Sequence, residues 1–560
     1  MGDLGSYNFL IMKIQLKEQI TNSCRHLLSE INRDPSSGAY GCFDRRYWAW
    51  KLTDFPEATF QRNVAALSWY LRQEQSKSRS QMVMEAIKSG LAFAFRVQHR
   101  DGSFDQAYPH EHSFGATGFL LPDLITAFQE IRLECGDSEK KLYESGLLRA
   151  AEFLTRSSEK HSLISNHLAG AALGLFKAGI LFQENQFSII GQTLLDLILT
   201  NQSPEGWFPE YGGADPGYQT LCMHYLAQIY SLKPSEALRK AFDISLGFLK
   251  YFAHPDGTFG GEYGSRRTEV YYPGGIALLA SEFPEAASLH KFMVASIEAG
   301  NTITLTDIDM GNTAPLMNSS ILALETEALL KDSPILLFQE EQLDKEFPQA
   351  GIAIRSRQNY YMILGASNGG VVKVFNKKTD KLVLDDCGVY GVTDRGGKLT
   401  TQSTCLENPL LFGDESLECK SNFFPIKDIL PNPLSYLMLR LMNLTFMRVN
   451  FLNELVKKLM VNVLIKNSSH LNLSRIRVLK LNPQSIEITD TITNHGKVRL
   501  KSLVQGFKFT AIHMASARYY TPAQTNLPDA QILDHATLNL KGSLQVKHHI
   551  SFADDSTGKA

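Results

Sequence analysis

A four-residue phrase recurs three times in the first half of the chain, as Asp101-Gly102-Ser103-Phe104, Glu205-Gly206-Trp207-Phe208 and Asp256-Gly257-Thr258-Phe259. From Gly102 to Gly206 to Gly257 the spacings are 104 and 51 residues. A repeat near a multiple of about fifty, with helical pattern between the copies, predicts stacked helical hairpins, because each hairpin can bury its apolar face only against its neighbours. The acidic-Gly pair makes a tight turn and the aromatic plugs it into the core. Such turns gather at one end of a helical toroid, where a sugar or hydrocarbon substrate can be received.

The hydrophobic period supports this. Amphipathic stretches with apolar residues three and four apart cover 59–74, 80–98, 142–156, 165–180, 186–200, 218–231, 234–251 and 319–331. After about residue 345 the period changes to two, in Gly351–Arg355, Tyr360–Leu364, Val371–Phe375, Ile476–Leu479, Ile486–Asp490 and Leu544–Lys547. Asn376–Asp380 reads as a hairpin loop between two strands. The predicted architecture is therefore multidomain α and β. An N-terminal (α/α) toroid spans 1–335 and a C-terminal antiparallel β-sandwich spans 345–560. A stretch near 434–465, rich in Leu, Met and Phe and carrying Arg440, Arg448, Lys457 and Lys458, breaks the strand rhythm. It reads as a helical insertion over a sheet or domain joint, with contact to a partner or a membrane surface as the alternative.

Composition narrows the function classes. At 560 residues the chain is long enough for two domains. With 56 Lys plus Arg against 58 Asp plus Glu, the formal charge of -2 creates no global field for nucleic acid. The seven cysteines are scattered, odd in number and never in a CxxC spacing, which predicts reduced thiols and a cytoplasmic location rather than a disulfide or zinc scaffold. No run of about twenty apolar residues predicts a transmembrane segment. No cofactor is implied.

Polar and aromatic residues cluster beside the three phrases, where a rigid scaffold presents loops. The first cluster holds Tyr108, His110, Glu111, His112 and Ser113. Two histidines two residues apart suit a metal on a loop, but no third ligand is signalled nearby, so no metal is assigned. The second holds Trp207, Glu210, Tyr211, Asp215 and Tyr218 among glycines, with aromatic faces that can stack on sugar rings. The third holds Glu262, Tyr263, Arg266, Arg267, Glu269, Tyr271 and Tyr272. Its paired arginines suit bidentate recognition of carboxylate or sulfate, or else form ion pairs with Glu262 and Glu269. A fourth element, Ser165-Asn166-His167, opens a helix, where Ser165 or Asn166 can serve as N-cap.

Asn166-His167 on one inner helix and Tyr218 on a later one, in a toroid followed by a sandwich, resemble the heparinase II/III-like and related alginate lyase-like polysaccharide lyases. The resemblance implies β-elimination on an acidic polysaccharide or oligosaccharide. It implies that Asn166 or His167 neutralises the uronate carboxylate and that Tyr218 delivers or removes a proton. The substrate would be bound by Tyr108, His112, Trp207, Glu210, Tyr211, Asp215, Glu262, Arg266 and Arg267. The family commonly takes a further histidine, as base, from the start of the sandwich. This chain has no histidine between His290 and His470, leaving His167, His112 or Tyr218 for that role.

Three other readings compete. Gln98 and Gln202, each four residues before the glycine of its phrase, fit the Q-x-x-x-G-x-aromatic turns of class II terpene cyclases, yet no D-x-D-D acid motif is present. A glycoside hydrolase could draw a carboxylate pair from Glu111, Glu210, Asp215, Glu262 and Glu269. A non-catalytic glycan-binding or assembly protein would keep the toroid without acid and base.

Overall fold

A computed structural model describes residues 4–158, 163–326, 336–406, 410–413, 415–426, 432–448, 452, 455–456, 470–496, 498–507, 519–527 and 530–552. The helical half comprises α1 (Leu4–Glu30), α2 (Arg45–Trp48), α3 (Asn63–Gln73), α4 (Lys77–Val97), α5 (Phe114–Ile131), α6 (Asp137–Arg156) and α7 (Ser165–Phe182). It continues with α8 (Asn185–Thr200), α9 (Pro216–Leu232), α10 (Glu236–Leu249), α11 (Pro273–Leu279), α12 (Pro284–Ala299) and α13 (Met310–Glu325). Helices α3, α5, α7, α9, α11 and α13 each touch the next, and α13 touches α3, so the inner ring closes. Helices α4, α6, α8, α10, α12 and α1 lie outside it, making a complete α/α toroid.

The recurrent phrase is the turn that joins an outer helix to the following inner one. In the first copy Gly102 N–H donates to His99 O and His99 N–H to Ser103 O, both at 3.0 Å, with Phe104 fully buried. The second and third copies repeat this pairing from Ser203 and His254. Gly102 has φ 96°, and a Cβ there would collide with the carbonyl of Arg149 on the next outer helix. Gln98 Nε2 bonds both Gly102 O (3.0 Å) and Gly146 O (2.9 Å), and Gln202 links Gly206 O with Ala241 O in the same way. The Q-x-x-x-G pattern is thus a staple between turn and neighbouring helix. The structure adds a fourth turn, Gly41-Cys42-Phe43, stapled by Gln61 to Gly41 O and Gly90 O.

The C-terminal half holds two antiparallel sheets. One runs β1 (Leu343–Phe347), β2 (Ile352–Ser356), β3 (Tyr360–Gly365), β4 (Val371–Asn376), β5 (Lys381–Thr393), β12 (Leu500–Phe507), β13 (Gln531–Ile532), with β6 (Lys398–Thr400) and β9 (Phe424–Pro425) branching from β5. The other runs β14 (Ser543–Ser551), β11 (Ser485–Asn494), β10 (Leu473–Asn482), β8 (Ser416–Asn422), β7 (Leu410–Phe412). Strands β2, β3 and β4 are buried on both faces. Met362, Leu364, Val372 and Val374 meet the second sheet, whereas Ile354, Tyr361, Ile363 and Phe375 join the core of the toroid. Phe347 sits 4.8 and 5.4 Å from the Phe248 and Tyr251 rings, and Tyr361 donates to Tyr251 O at 2.5 Å. The first sheet is therefore the middle layer between toroid and second sheet.

The expected insertion contains α14 (Pro433–Leu444), with Leu437, Met438, Leu441 and Leu444 exposed, while most of 449–465 lies outside the described residues. Arg440 ties α14 to the toroid through Asp54 at 2.7 Å. Among the described residues no helix is long and apolar enough to cross a membrane.

Within the sandwich, Arg475 and Arg477 are fully buried. Arg477 makes a bidentate pair with Asp490 (2.8 and 2.6 Å), contacts Asp386, and donates to Gly370 O at 2.6 Å. Burial would raise the Asp490 carboxyl, but Arg477 and Arg475 outweigh it and hold it below the ordinary carboxylate range. The ionised form is favoured in the fold, so its contribution is present above the unfolded value and lost as pH falls through the folded one. Asp490→Asn should cost about 3–5 kcal/mol in denaturant unfolding, because it strands buried guanidinium charge. A loss under about 1 kcal/mol, the scale of an exposed pair, would refute that role.

Candidate active site

Helix α7 starts where it does because Ser165 is held from outside the helix: its N–H and Oγ donate to Pro209 O at 3.2 and 2.7 Å. Ile164 bridges antiparallel to Glu210, which pairs with Gly213 across a tight turn. Tyr211 and Gly212 adopt φ of 53° and 86° in that turn. The register carries the Glu210 side chain to α7, where Oε2 accepts from Asn166 Nδ2 at 2.8 Å, both residues buried. His167 follows, edge-on to Phe119 at 5.0 Å. Gly115 on α5 leaves it room, since a Cβ there would lie 2.6 Å from His167 Nδ1.

Helix α9 begins four residues after the turn. Asp215 caps it, its Oδ1 accepting from Tyr218 N–H at 3.0 Å. Pro216 occupies the first helical position, which its fixed φ suits. The other Asp215 oxygen accepts from the N–H groups of Arg266 (2.8 Å) and Thr268 (3.3 Å). Ser265 Oγ donates to Glu210 O at 2.8 Å, and Ser265 N–H to Ala214 O at 2.8 Å. Loop 264–268 is thereby laced to loop 209–215. The Arg266 guanidinium carbon lies 3.9 Å from the Tyr211 ring centre and 6.0 Å from that of Tyr218. Asn166, His167, Glu210, Tyr211, Asp215, Tyr218 and Arg266 form one connected group.

Burial pushes the Glu210 carboxyl up to about 8, opposed by His167 and Arg266 and reinforced by Asp215. Near neutral pH Glu210 keeps its proton and leaves the charge of Arg266 uncancelled. Burial also raises Asp215, against the three backbone N–H groups that favour its charged form. A raised carboxyl gives the opposite linkage to Asp490: the folded state holds a proton the unfolded chain releases, so stability falls as pH rises from the ordinary glutamate range toward 8.

Other residues expected at a sugar surface have different surroundings. Trp207 is buried, and its indole N–H donates to Glu205 Oε2 at 3.0 Å. Glu205 also accepts from the N–H groups of Gln349 and Ala350, so this pair serves the joint with the sandwich. Arg267 and Glu262 are each about 1 % exposed and pair at 3.5 Å within the loop. Glu269 lies 3.4 Å from Lys373 on β4. Tyr108 is buried, and His112 bonds Asp101, both in loop 101–113 rather than among the seven residues above.

The sandwich half contributes residues that sequence reasoning did not single out. Asn368 Nδ2 donates to Tyr263 O at 2.5 Å and its Oδ1 accepts from Thr404 Oγ1 at 2.9 Å. Tyr519 donates to Asp309 and accepts from Asn312 Nδ2 at 3.0 Å, and burial raises its phenol with Asp309 and Tyr218 acting in the same direction. No repeat or local period marks Tyr519, which reaches the toroid only through tertiary folding.

No family model matches the chain, and no curated protein matches it in sequence. Among solved structures it is similar to the chondroitin AC lyase of Streptomyces coelicolor A3 in complex with chondroitin sulphate, at 12% identity and TM-score 0.55, covering 88% of this chain and 68% of that one. It is also similar to heparinase III, at 11% identity and TM-score 0.52, covering 88% of this chain and 72% of that one. The chain shares the toroid-plus-sandwich fold of these lyases.

Asp215 joins both halves of the group. Asp215→Asn places an amide N–H opposite backbone donors and should cost about 1–3 kcal/mol of stability, the scale of an unsatisfied buried polar group. Unchanged thermal unfolding in this variant would show that the carboxylate is not what holds loop 264–268.

Proposed function

We propose that the chain is a polysaccharide lyase that cleaves a uronic-acid-containing glycan by β-elimination. The observation that carries the reading is the convergence of Asn166, Glu210 and Arg266 beside Tyr218, with burial favouring the protonated form of Glu210. Removing the C5 proton of a uronate creates an enolate-like anion next to a carboxylate, so the site must first offset that carboxylate's charge. Asn166 and neutral Glu210 are the hydrogen-bonding groups for it, and Arg266 supplies a cation. Tyr218, at the start of α9, exchanges the proton as the O4 leaving group departs. The Arg266 guanidinium carbon, 6.0 Å from the Tyr218 ring centre, would favour developing phenolate charge electrostatically. The fold shared with the chondroitin AC lyase and heparinase III supports the class of reaction by analogy.

The hydrolase reading fares worse on particular contacts. Asp215 is occupied by three backbone N–H groups, Glu262 pairs with Arg267, and Glu269 faces Lys373. Glu111 Oε2 accepts from the N–H groups of Gln106 and Ala107. Glu210 is left without a second carboxyl suited to acid–base work.

Tyr218→Phe removes one hydroxyl and keeps the ring. Turnover, followed by the ultraviolet absorbance of the unsaturated uronate product, should fall by about 10²-fold or more with substrate binding little changed. A stable variant of undiminished activity would end the lyase assignment. Glu210→Gln tests the charge argument separately. Parent activity should decline as pH rises through about 8, where Glu210 ionises, and the neutral amide should remove that decline. An identical alkaline limb in both proteins would exclude Glu210 as its source.

A further inference from the structure

The loop between α4 and α5 gathers three histidines that the reading above does not use. One ring nitrogen from each of His99, His110 and His112 lies within 4.8 Å of the other two. Sequence alone showed the pair at 110 and 112; the third arrives because His99 begins the recurrent turn and the chain doubles back over it. The rings of His99 and His112 are 4.2 Å apart, and those of His99 and His110 are 5.6 Å apart. His110 and His112 both hold left-handed backbone, at φ 60° and 51°, which is uncommon for histidine and unexpected twice within three residues. Asp105 fixes these conformations by accepting from the N–H groups of His110 (2.8 Å) and His112 (3.0 Å).

Two carboxylates lie beside the rings: His112 Nδ1 hydrogen-bonds Asp101 Oδ2 at 2.8 Å, and Asp105 Oδ1 lies 2.8 Å from His99 Nε2, within ion-pair distance but outside hydrogen-bonding geometry. A carboxylate on one ring nitrogen fixes the tautomer and increases the basicity of the other. We propose that His99, His110 and His112 form a binding site for a divalent transition-metal ion of the zinc type, with Asp101 and Asp105 as supporting carboxylates.

Three atoms no more than 4.8 Å apart enclose a point at most about 2.8 Å from each, against about 2.0–2.1 Å for a Zn–N bond, so closing on an ion requires the stacked His99 and His112 rings to turn their nitrogens inward by up to about 0.7 Å. Three imidazoles favour zinc over calcium or magnesium, which prefer oxygen. The charges of Asp101 and Asp105 offset the ion, which Arg448, felt at His110, would otherwise repel. Phe114 begins α5 directly after this loop, so a bound ion would pin the entry to the helix that carries Gly115 and Phe119 against His167.

The test uses the full chain, stripped with chelator, reloaded with Zn²⁺ and desalted. Elemental analysis should find about one zinc per chain, and Co²⁺ loading should give the visible absorption of a low-coordinate site. His110→Ala should abolish both, while His26→Ala, at an exposed histidine, should leave both intact. Asp101→Asn keeps all three ligands and should weaken zinc affinity by about 10–100-fold in competition with a chromophoric chelator. Absence of retained zinc, equal zinc in the parent and His110→Ala proteins, or parental affinity in Asp101→Asn would each overturn the proposal. None of these readouts uses glycan turnover, so the metal site and the lyase reading fail independently.

Discussion

One buried carboxylate sets the geometry at the mouth of the toroid. Asp215 ends the Glu210 turn, caps α9 and clamps loop 264–268, so Tyr218 and Arg266 take their relative position from two oxygens of a single side chain. Its surroundings leave little slack, since a Cβ on Gly264 would lie 2.6 Å from Asp215 Oδ2. A group with three backbone donors is more sharply oriented than one held by flexible side-chain partners, because the donors belong to a helix end and a laced loop. Everything that follows chemically requires that clamp to remain closed.

The toroid does not hold these loops alone. The first sheet presses against their backs, where Asn368 reaches Tyr263 O, Lys373 reaches Glu269 and Tyr361 reaches Tyr251 O. His254, in the third turn, bonds Tyr263 and stacks on Phe375 of β4 at 4.6 Å. Burial drives the His254 imidazole well below its ordinary range, with Lys373 acting in the same direction, so it stays neutral and structural. The sandwich therefore does mechanical work for a site whose residues come from two helix starts and the loops of the toroid.

What the sequence revealed followed from periodicity. The six strand segments read from alternation or apolar runs coincide with β2, β3, β4, β10, β11 and β14, apart from Gly351 in the turn before β2, because those strands either face water on one side or form short apolar runs. Helix α5 shows no clear amphipathic period: it contacts α3, α4, α6 and α7 and carries Gly115, Gly118 and Pro122, so little of it is polar and its local propensity is poor. Glu210 and Tyr218 were visible as a glycine-spaced cluster, but the Asn166–Glu210 bond spans 44 residues and depends on a bridge no local pattern encodes. The burial of Trp207, Glu262 and Arg267 was not legible in the sequence, for one reason. An aromatic or charged residue beside a Gly-rich turn looks solvent-facing in sequence, whereas here the second layer of the fold covers it. His99 did leave a trace: aligning the three phrases puts His99, Ser203 and His254 at one position, each the partner of its glycine's N–H.

The missing sandwich histidine bears on how the proposed reaction is divided among residues. His112 is engaged by Asp101 and Ser103 in loop 101–113, which removes it from the candidates for base. Within the group around Asp215, His167 and Tyr218 are the bases open to the proposal, with Glu210 responsive to the charge of His167. Were Glu210 ionised, it would compete with the substrate carboxylate for Asn166 and Arg266, and uronate binding would oppose itself. Protonated, it offers a hydrogen bond to the same carboxylate and removes that competition. On the proposed reading, the burial of Glu210 therefore decides more than its own charge, because it frees Arg266 and His167 to act on the substrate beside Tyr218.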